Sequence, residues 1–120
     1  MRELSRDEKI IHDMIKRKCN VTWNDSDTNE SILEIMEDAM LAIQNKLGFA
    51  SERIPDIFIE PGPIRSLLKN LALYMRNNCE EDFDGRYLNE IMQARRPFEL
   101  MAAEKQVQNE AEGTADEQED

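Results

Sequence analysis

The sequence is poor in the residues from which small proteins usually build reactive sites. It holds one histidine, His12, and two cysteines, Cys19 and Cys79, in 120 residues. A lone histidine, with neither cysteine at metal-ligand spacing, offers no zinc site. Two widely separated cysteines in a chain expected to stay in the cytosol read as reduced, partly buried small hydrophobes. Only four glycines occur, and neither G-x-x-x-x-G-K-[ST] nor G-x-G-x-x-G is among their contexts, which excludes the familiar phosphate-cradling loops. No apolar run approaches the roughly 18–20 residues that span a bilayer. The first eight residues, MRELSRDE, have no apolar core, so no signal peptide is expected. Cations are also in deficit: 15 Lys and Arg face 26 Asp and Glu, a formal net charge of -11. That balance opposes sequence-independent nucleic-acid binding, which depends on cations displacing counterions from phosphates. The densest basic clusters, Lys16-Arg17-Lys18 and Arg95-Arg96, lack flanking aromatics for base stacking.

What is present is helical pattern. The length suits one domain, with a core formed by burying roughly two-thirds of the unfolded surface. Ile10, Ile11, Met14 and Ile15 make a stripe on a first helix over about Leu4 to Lys18, closed by the cations Lys16, Arg17 and Lys18. A cap-rich run from Asn24 to Asn29 opens a second helix, with Asp27 as N-cap and Glu30 completing a capping box. Ile32, Met36, Ala39, Ile43 and Leu47 follow at helical spacing, and Gly48 stands where a left-handed residue ends a helix. The period then vanishes. Ile54 to Pro63 is bounded by prolines and predicts an extended arm or irregular loop. Its Ile57, Phe58 and Ile59 must either fold back on the core or contact a partner. Pro63 opens a third helix with Ile64, Leu67, Leu68, Leu71 and Met75 on one face, ending at Asn77-Asn78. A fourth begins near Glu80 to Asp82, carries Phe83, Tyr87, Ile91 and Ala94, with Leu88 and Met92 thickening that face, and ends or kinks at Pro97. The expected fold is all-α: a small bundle of about four helices, with the proline-bounded arm between helices two and three. Residues 1–103 form the helical domain, and the acid-rich segment 104–120 reads as a disordered tail.

Several constellations invite sharper readings. Asp25-x-Asp27-x-Asn29 resembles the start of a calcium loop, but Glu30 replaces the required Gly and Met36 the bidentate Glu. A helix N-cap explains the same residues. A Cys–His nucleophilic pair has no local signature to support it. Grouped acids such as Glu37-Asp38 and Glu80-Glu81-Asp82 read as solvated faces and helix starts. Met14, Met36, Met40, Met75 and Met92 read as core, and Met101 as core or contact surface. Trp23, between two helices, reads as closing one end of the bundle, with a partner anchor as the alternative. No catalytic residue, cofactor or metal is expected.

Two stretches carry a family likeness. Val21-Thr22-Trp23-Asn24-Asp25-Ser26-Asp27-Thr28-Asn29-Glu30, running into a helix that ends Asn45-Lys46-Leu47-Gly48-Phe49, resembles head–tail connector (adaptor) proteins of tailed phages of Gram-positive bacteria. There an "ITW"-like step precedes an acidic turn and a helix ending in "LG". Ile64 to Asn70 with Tyr74-x-Arg76-Asn77, and Phe83 with Tyr87-Leu88-Asn89-Glu90-Ile91, are similar to two further helices of that family. The likeness covers about Lys9 to Ala94. It is absent from the Pro- and Ile-rich insert around Ile54–Pro63 and from the acidic segment.

The resemblance implies a non-enzymatic virion protein of the neck, made in the host cytoplasm. Copies would form a ring, a dodecamer following the portal's symmetry, that extends the DNA channel and docks the tail. Portal protein and a tail-side neck protein would be its partners, with no membrane and no sequence-specific nucleic acid. Such rings use heterologous interfaces, so each subunit needs two different patches. The apolar segments outside the four helical stripes are the candidates: Ile54, Ile57, Phe58 and Ile59, and Phe98, Leu100 and Met101. The alternatives are an acidic helical adaptor or DNA mimic that binds another partner, and a small metal-using hydrolase built on Glu37, Asp38 and Asp84.

Overall fold

The computed structural model describes residues 2–49 and 54–100, with backbone alone at 54 and 55. Met101, the expected domain limit at 103 and the acidic segment 104–120 lie outside the described residues. Among the described residues the fold is all-helical and holds no strand.

Helix α1 spans Arg6–Lys18. It starts two residues later than the apolar pattern suggests, because Ser5 and Glu8 form a capping box. The Glu8 amide donates to Ser5 Oγ (3.2 Å), and the Ser5 amide donates to the Glu8 carboxylate (3.1 Å). Two of the four amides orphaned at a helix start are thereby satisfied. Ile11, Met14 and Ile15 are buried along one side, and His12 is buried beside them. Its Nε2–H donates to the backbone carbonyl of Asn29 (3.0 Å), tying α1 to the first turn of α2.

Helix α2, Ser26–Leu47, is the spine. Its N-cap is Asp25 and not Asp27, since the Thr28 amide donates to Asp25 Oδ2 (3.1 Å) and the Thr28 hydroxyl to Oδ1 (2.6 Å). Both aspartates suit a cap; the additional hydroxyl bond favours the earlier one. Ile32, Leu33, Met36, Ala39, Ile43 and Leu47 are buried. Gly48 ends the helix in the left-handed region (φ 74°), as expected, and its amide donates to the Gln44 carbonyl (2.9 Å). Asn20 and Asn78 perform the same service after α1 and α4, at φ 57° and 58°. In both cases the next amide, of Val21 or Cys79, reaches back to the carbonyl of Lys16 or Tyr74 (2.9 Å each). This is the double back-bond of a Schellman-type ending, with Asn in place of Gly.

The segment read as an extended arm is a helix, α3, Ile54–Ile59. The prolines misdirect because Pro55 falls in the first turn, where a missing N–H costs nothing that a helix would otherwise bond. Phe58 is fully buried, so the segment folds back on the core. Arg65 Nη1 donates to the Ile59 carbonyl (3.2 Å) at the exit. Gly62 (φ 153°) then makes the turn into α4, Pro63–Arg76, with Pro63 in its first turn. Leu67, Leu68, Leu71 and Ala72 face inward, and α4 packs on α1, α2 and α3. A 3₁₀ turn, Glu80–Asp82, leads into the short α5, Phe83–Arg86. After Tyr87 the chain is helical again over 88–100, here α6. The helix does not end at Pro97; exposed Gln93, four residues earlier, leaves its turn open to water.

The core joins the inward faces of α1, α2 and α4 with Phe58, Phe83, Ile91 and Ala94. Among the described residues no buried side-chain nitrogen or oxygen lacks a hydrogen-bond partner. Truncating Phe58→Ala is expected to cost about 3–5 kcal/mol, the usual range for emptying a buried aromatic site. Urea denaturation checks this, and a cost under about 1 kcal/mol would contradict the packing of α3.

The capping box adds a pH dependence. Glu8 also accepts from Arg2 (2.6 Å), and these bonds hold its carboxyl at about 2, below its ordinary 4.5. The folded-state value is depressed, so the stabilisation is complete above pH 4.5 and disappears as pH falls through about 2. Glu8→Gln, which keeps the reach of the side chain, is expected to flatten the stability profile between pH 4.5 and 2 in acid titrations followed by circular dichroism.

Candidate interaction surface

The two apolar segments singled out in the sequence meet at the C-terminal end of α2. Phe49, just past Gly48, stacks on Phe98 of α6 (centroids 4.5 Å apart, planes 19°) and lies 6.4 Å from Phe58 of α3. One ring therefore bridges the Ile54–Ile59 stretch and the Phe98 stretch. Phe58 is buried, Ile57, Ile59 and Phe98 are partly buried, and Leu100 is 60% exposed. The side chains of Ile54 and Met101 lie outside what is described. Within a single chain, then, Phe58 and Phe98 hold α3 and α6 in place, and Leu100 is the member of the set turned outward.

The same end of α2 is held by polar contacts. Arg95 Nε and Nη2 donate to the Lys46 carbonyl (2.9 and 2.5 Å), one of the four carbonyls a helix end leaves unpaired. A guanidinium there also faces the negative end of the helix dipole. Lys46 Nζ in turn contacts Asp84 Oδ1 (2.6 Å) and lies 5.9 Å from the Phe83 ring centroid. The carboxylate of that pair is largely exposed, so the ion pair contributes little. The charge-assisted bonds from Arg95 carry more. In the sequence Arg95 stands out only as part of a basic pair; its partner lies 49 residues away and leaves no local signal. Phe83 at the start of α5 stacks on Tyr87 just past its end (4.8 Å), and Tyr74 of α4 meets both edge-on at 5.8 and 5.7 Å.

Three residues expected in the core are at the surface. Leu88 and Met92, placed on the inner face of the last helix, are 53% and 57% exposed. Ile91 and Ala94 take the buried positions of α6, and the 88–92 row lies along the edge of that face. Beside it a shallow groove of about 290 Å³ is bordered by Met92, Arg95, Arg96 and Glu99. Trp23, expected to close the bundle, is 51% exposed, and its indole N–H donates to Thr28 Oγ1 (2.7 Å). Leu41 on α2 is 58% exposed and was not anticipated at all.

The reactive groups are dispersed. Glu37 is engaged by Arg2 (3.1 Å) and Asp84 by Lys46, so the carboxylates of the hydrolase reading occupy separate contacts. Among the described residues no group of three or more His, Cys, Asp or Glu is placed to share a metal ion. Burial pushes the Cys19 thiol up, against the opposing pull of Arg76 and Lys18, which disfavours the thiolate a nucleophile needs. Among the described residues no helix is long and apolar enough to cross a membrane. The arrangement on view is one of contacts: an outward apolar row on α6, near its joint with the C-terminal end of α2, and an exposed indole at the other end of α2.

Arg95→Gln is expected to lower stability by about 2 kcal/mol, the scale of a charge-assisted bond to a helix-end carbonyl. Asp84→Asn should change it by under about 0.5 kcal/mol, as exposed pairs do. Denaturant midpoints of the two variants make the comparison directly. No known protein family, curated protein or solved structure matches this chain.

Proposed function

We propose that this protein is a structural head–tail connector of a tailed bacteriophage. Its copies assemble into a ring beneath the portal, extend the DNA channel and offer a docking surface to the tail-side neck protein. The observation that carries the proposal is the outward apolar set on α6, Leu88, Met92 and Leu100, on an otherwise highly charged chain. Apolar side chains on the exposed side of one helix offer a surface that another protein can cover. The motif likeness supplies the identity of that assembly. In this reading α1, α2, α4 and α6 are the four helices of the connector body, and α3 stands where an arm was expected.

The positions behind the likeness have physical roles here. Asp25 and Thr28 cap α2, Gly48 ends it, and Tyr74, Phe83 and Tyr87 form one aromatic cluster. They support a shared scaffold, and the exposed row supports assembly. The acidic balance suits a lumen through which DNA must pass, because like charge repels phosphate where a cationic wall would hold it. Nothing in the role requires a reactive group. The ring is dodecameric in this proposal, with the α6 row as one of the two patches that a heterologous contact needs.

Quantitative mass spectrometry of purified virions tests it. A copy number equal to that of the portal protein is expected, and absence from mature particles would sink the proposal. Leu88→Glu combined with Met92→Glu should abolish assembly with the portal, scored by native mass spectrometry, while circular dichroism stays unchanged.

A further inference from the structure

Trp23 is the only tryptophan of the chain, and half of its surface faces water. Tryptophan is normally well buried, so an exposed ring calls for a reason. This ring is also fixed. Its N–H donates to Thr28 Oγ1 (2.7 Å), and the Thr28 hydroxyl donates onward to Asp25 Oδ1 (2.6 Å). Asp25 is itself the N-cap of α2, and its carboxyl is held below the usual range by the two bonds from Thr28. The indole is thus anchored to the N-terminus of the longest helix, α2. A side chain already held in one orientation loses little entropy on binding.

The geometry also limits what can bind. The one polar group of the indole is spent within the chain, leaving the π face and the apolar edge. The neighbouring sequence is acidic: Asp25 and Asp27 are exposed, and Asp27 sits in the first turn of α2. An exposed aromatic ring followed in sequence by two exposed carboxylates attracts a cation, through the ring quadrupole and through charge. Nucleic-acid bases also stack on tryptophan, but their phosphates would meet these carboxylates and the acidic body behind them.

We infer that Trp23 is a protein-docking anchor whose indole face receives an arginine from a basic segment of a partner protein, with Asp27 as the accompanying carboxylate. Arginine fits better than lysine because its planar guanidinium stacks on the ring while its edge donates to a carboxylate. The inference stands apart from the connector proposal, since it concerns the chemistry of one surface and not the assembly that uses it. It also places a contact at the opposite end of α2 from the joint with α6.

The test uses the full chain and a pentapeptide, Arg-Gly-Arg-Gly-Arg, with citrulline replacing arginine in the control. Because Trp23 is the only indole, its fluorescence reports on the surroundings of this one ring. The arginine peptide is expected to change the emission saturably and the citrulline peptide to leave it flat. By calorimetry, Trp23→Leu should weaken the arginine peptide about tenfold, Trp23→Phe should fall between, and Asp27→Asn should weaken it about threefold. Trp23→Leu is compared only after its helicity and thermal midpoint match the parent. Thr28→Val, which retains the ring and frees its N–H, should keep the emission change but with weaker affinity. Equal affinity of Trp23→Leu and the parent would assign binding to the acidic surface at large and overturn the inference. So would a fluorescence response to oligo-thymidine larger than the response to the arginine peptide.

Discussion

The carbonyl end of α2 is the constraint on which the C-terminal half of the fold depends. A helix of 22 residues finishes there with unpaired carbonyls, and the chain must satisfy them while reversing direction. Gly48 turns the chain in the left-handed region, and Arg95 returns from α6 to take the Lys46 carbonyl. Phe49 then falls between Phe58 and Phe98. These contacts matter most for α6, which reaches the core through only a few residues, Ile91, Ala94 and Phe98 among them, whereas α3 also packs on α1 and α4. The Lys46–Asp84 pair sits at the same place but is largely solvated, so packing and the guanidinium bonds outweigh it.

Three of the helix endings use one solution. Asn20, Gly48 and Asn78 each adopt positive φ, and each is followed by an amide that returns to the helix just left. Asparagine tolerates this region better than other residues with a Cβ, and glycine tolerates it freely. Each turn is therefore satisfied by local bonds. That leaves the helices to find one another through their apolar faces, and α2 with its long buried stripe is the common partner of α1 and α4.

Much of this was legible in the residues, and the misses have physical causes. The α2 stripe and Gly48 could be read because a 3.6-residue period over about four turns has no competing interpretation. Its cap was misplaced by two residues because Asp25 and Asp27 are chemically equivalent until the Thr28 hydroxyl chooses between them. The Ser5–Glu8 box was legible as Ser-x-x-Glu and was passed over in favour of the apolar Leu4, which packs from outside the helix. Helix α3 was hidden because Ile-Pro-Asp-Ile-Phe-Ile combines β-branched residues with a proline, and only Phe58 finding the core makes a helix of it. Leu88 and Met92 fit the inner face by spacing. A stripe shows which residues share a side of a helix, but the neighbour decides how much of that side is covered. Two members of the interface set, Phe58 and Phe98, are apolar enough to bind a partner, and within the chain both meet Phe49.

Charge and apolar exposure together constrain how such a chain can associate. Copies with a formal charge of -11 repel one another at distances up to a Debye length, about 8 Å at physiological ionic strength. A contact between copies cannot then be drawn together by long-range attraction and must rely on short-range burial. Leu88, Met92 and Leu100 offer that, on a helix whose inner face is already committed. A partner with basic segments meets the opposite situation, since the same field draws it in and raises its encounter rate. Trp23, rigidly presented beside carboxylates at the start of α2, suits the second kind of contact, and the α6 row suits the first. The two surfaces therefore differ in the physics of their approach as well as in position. A subunit that must bind its own copies on one side and a different protein on another needs just such a division, because a single patch serving both would let either partner displace the other.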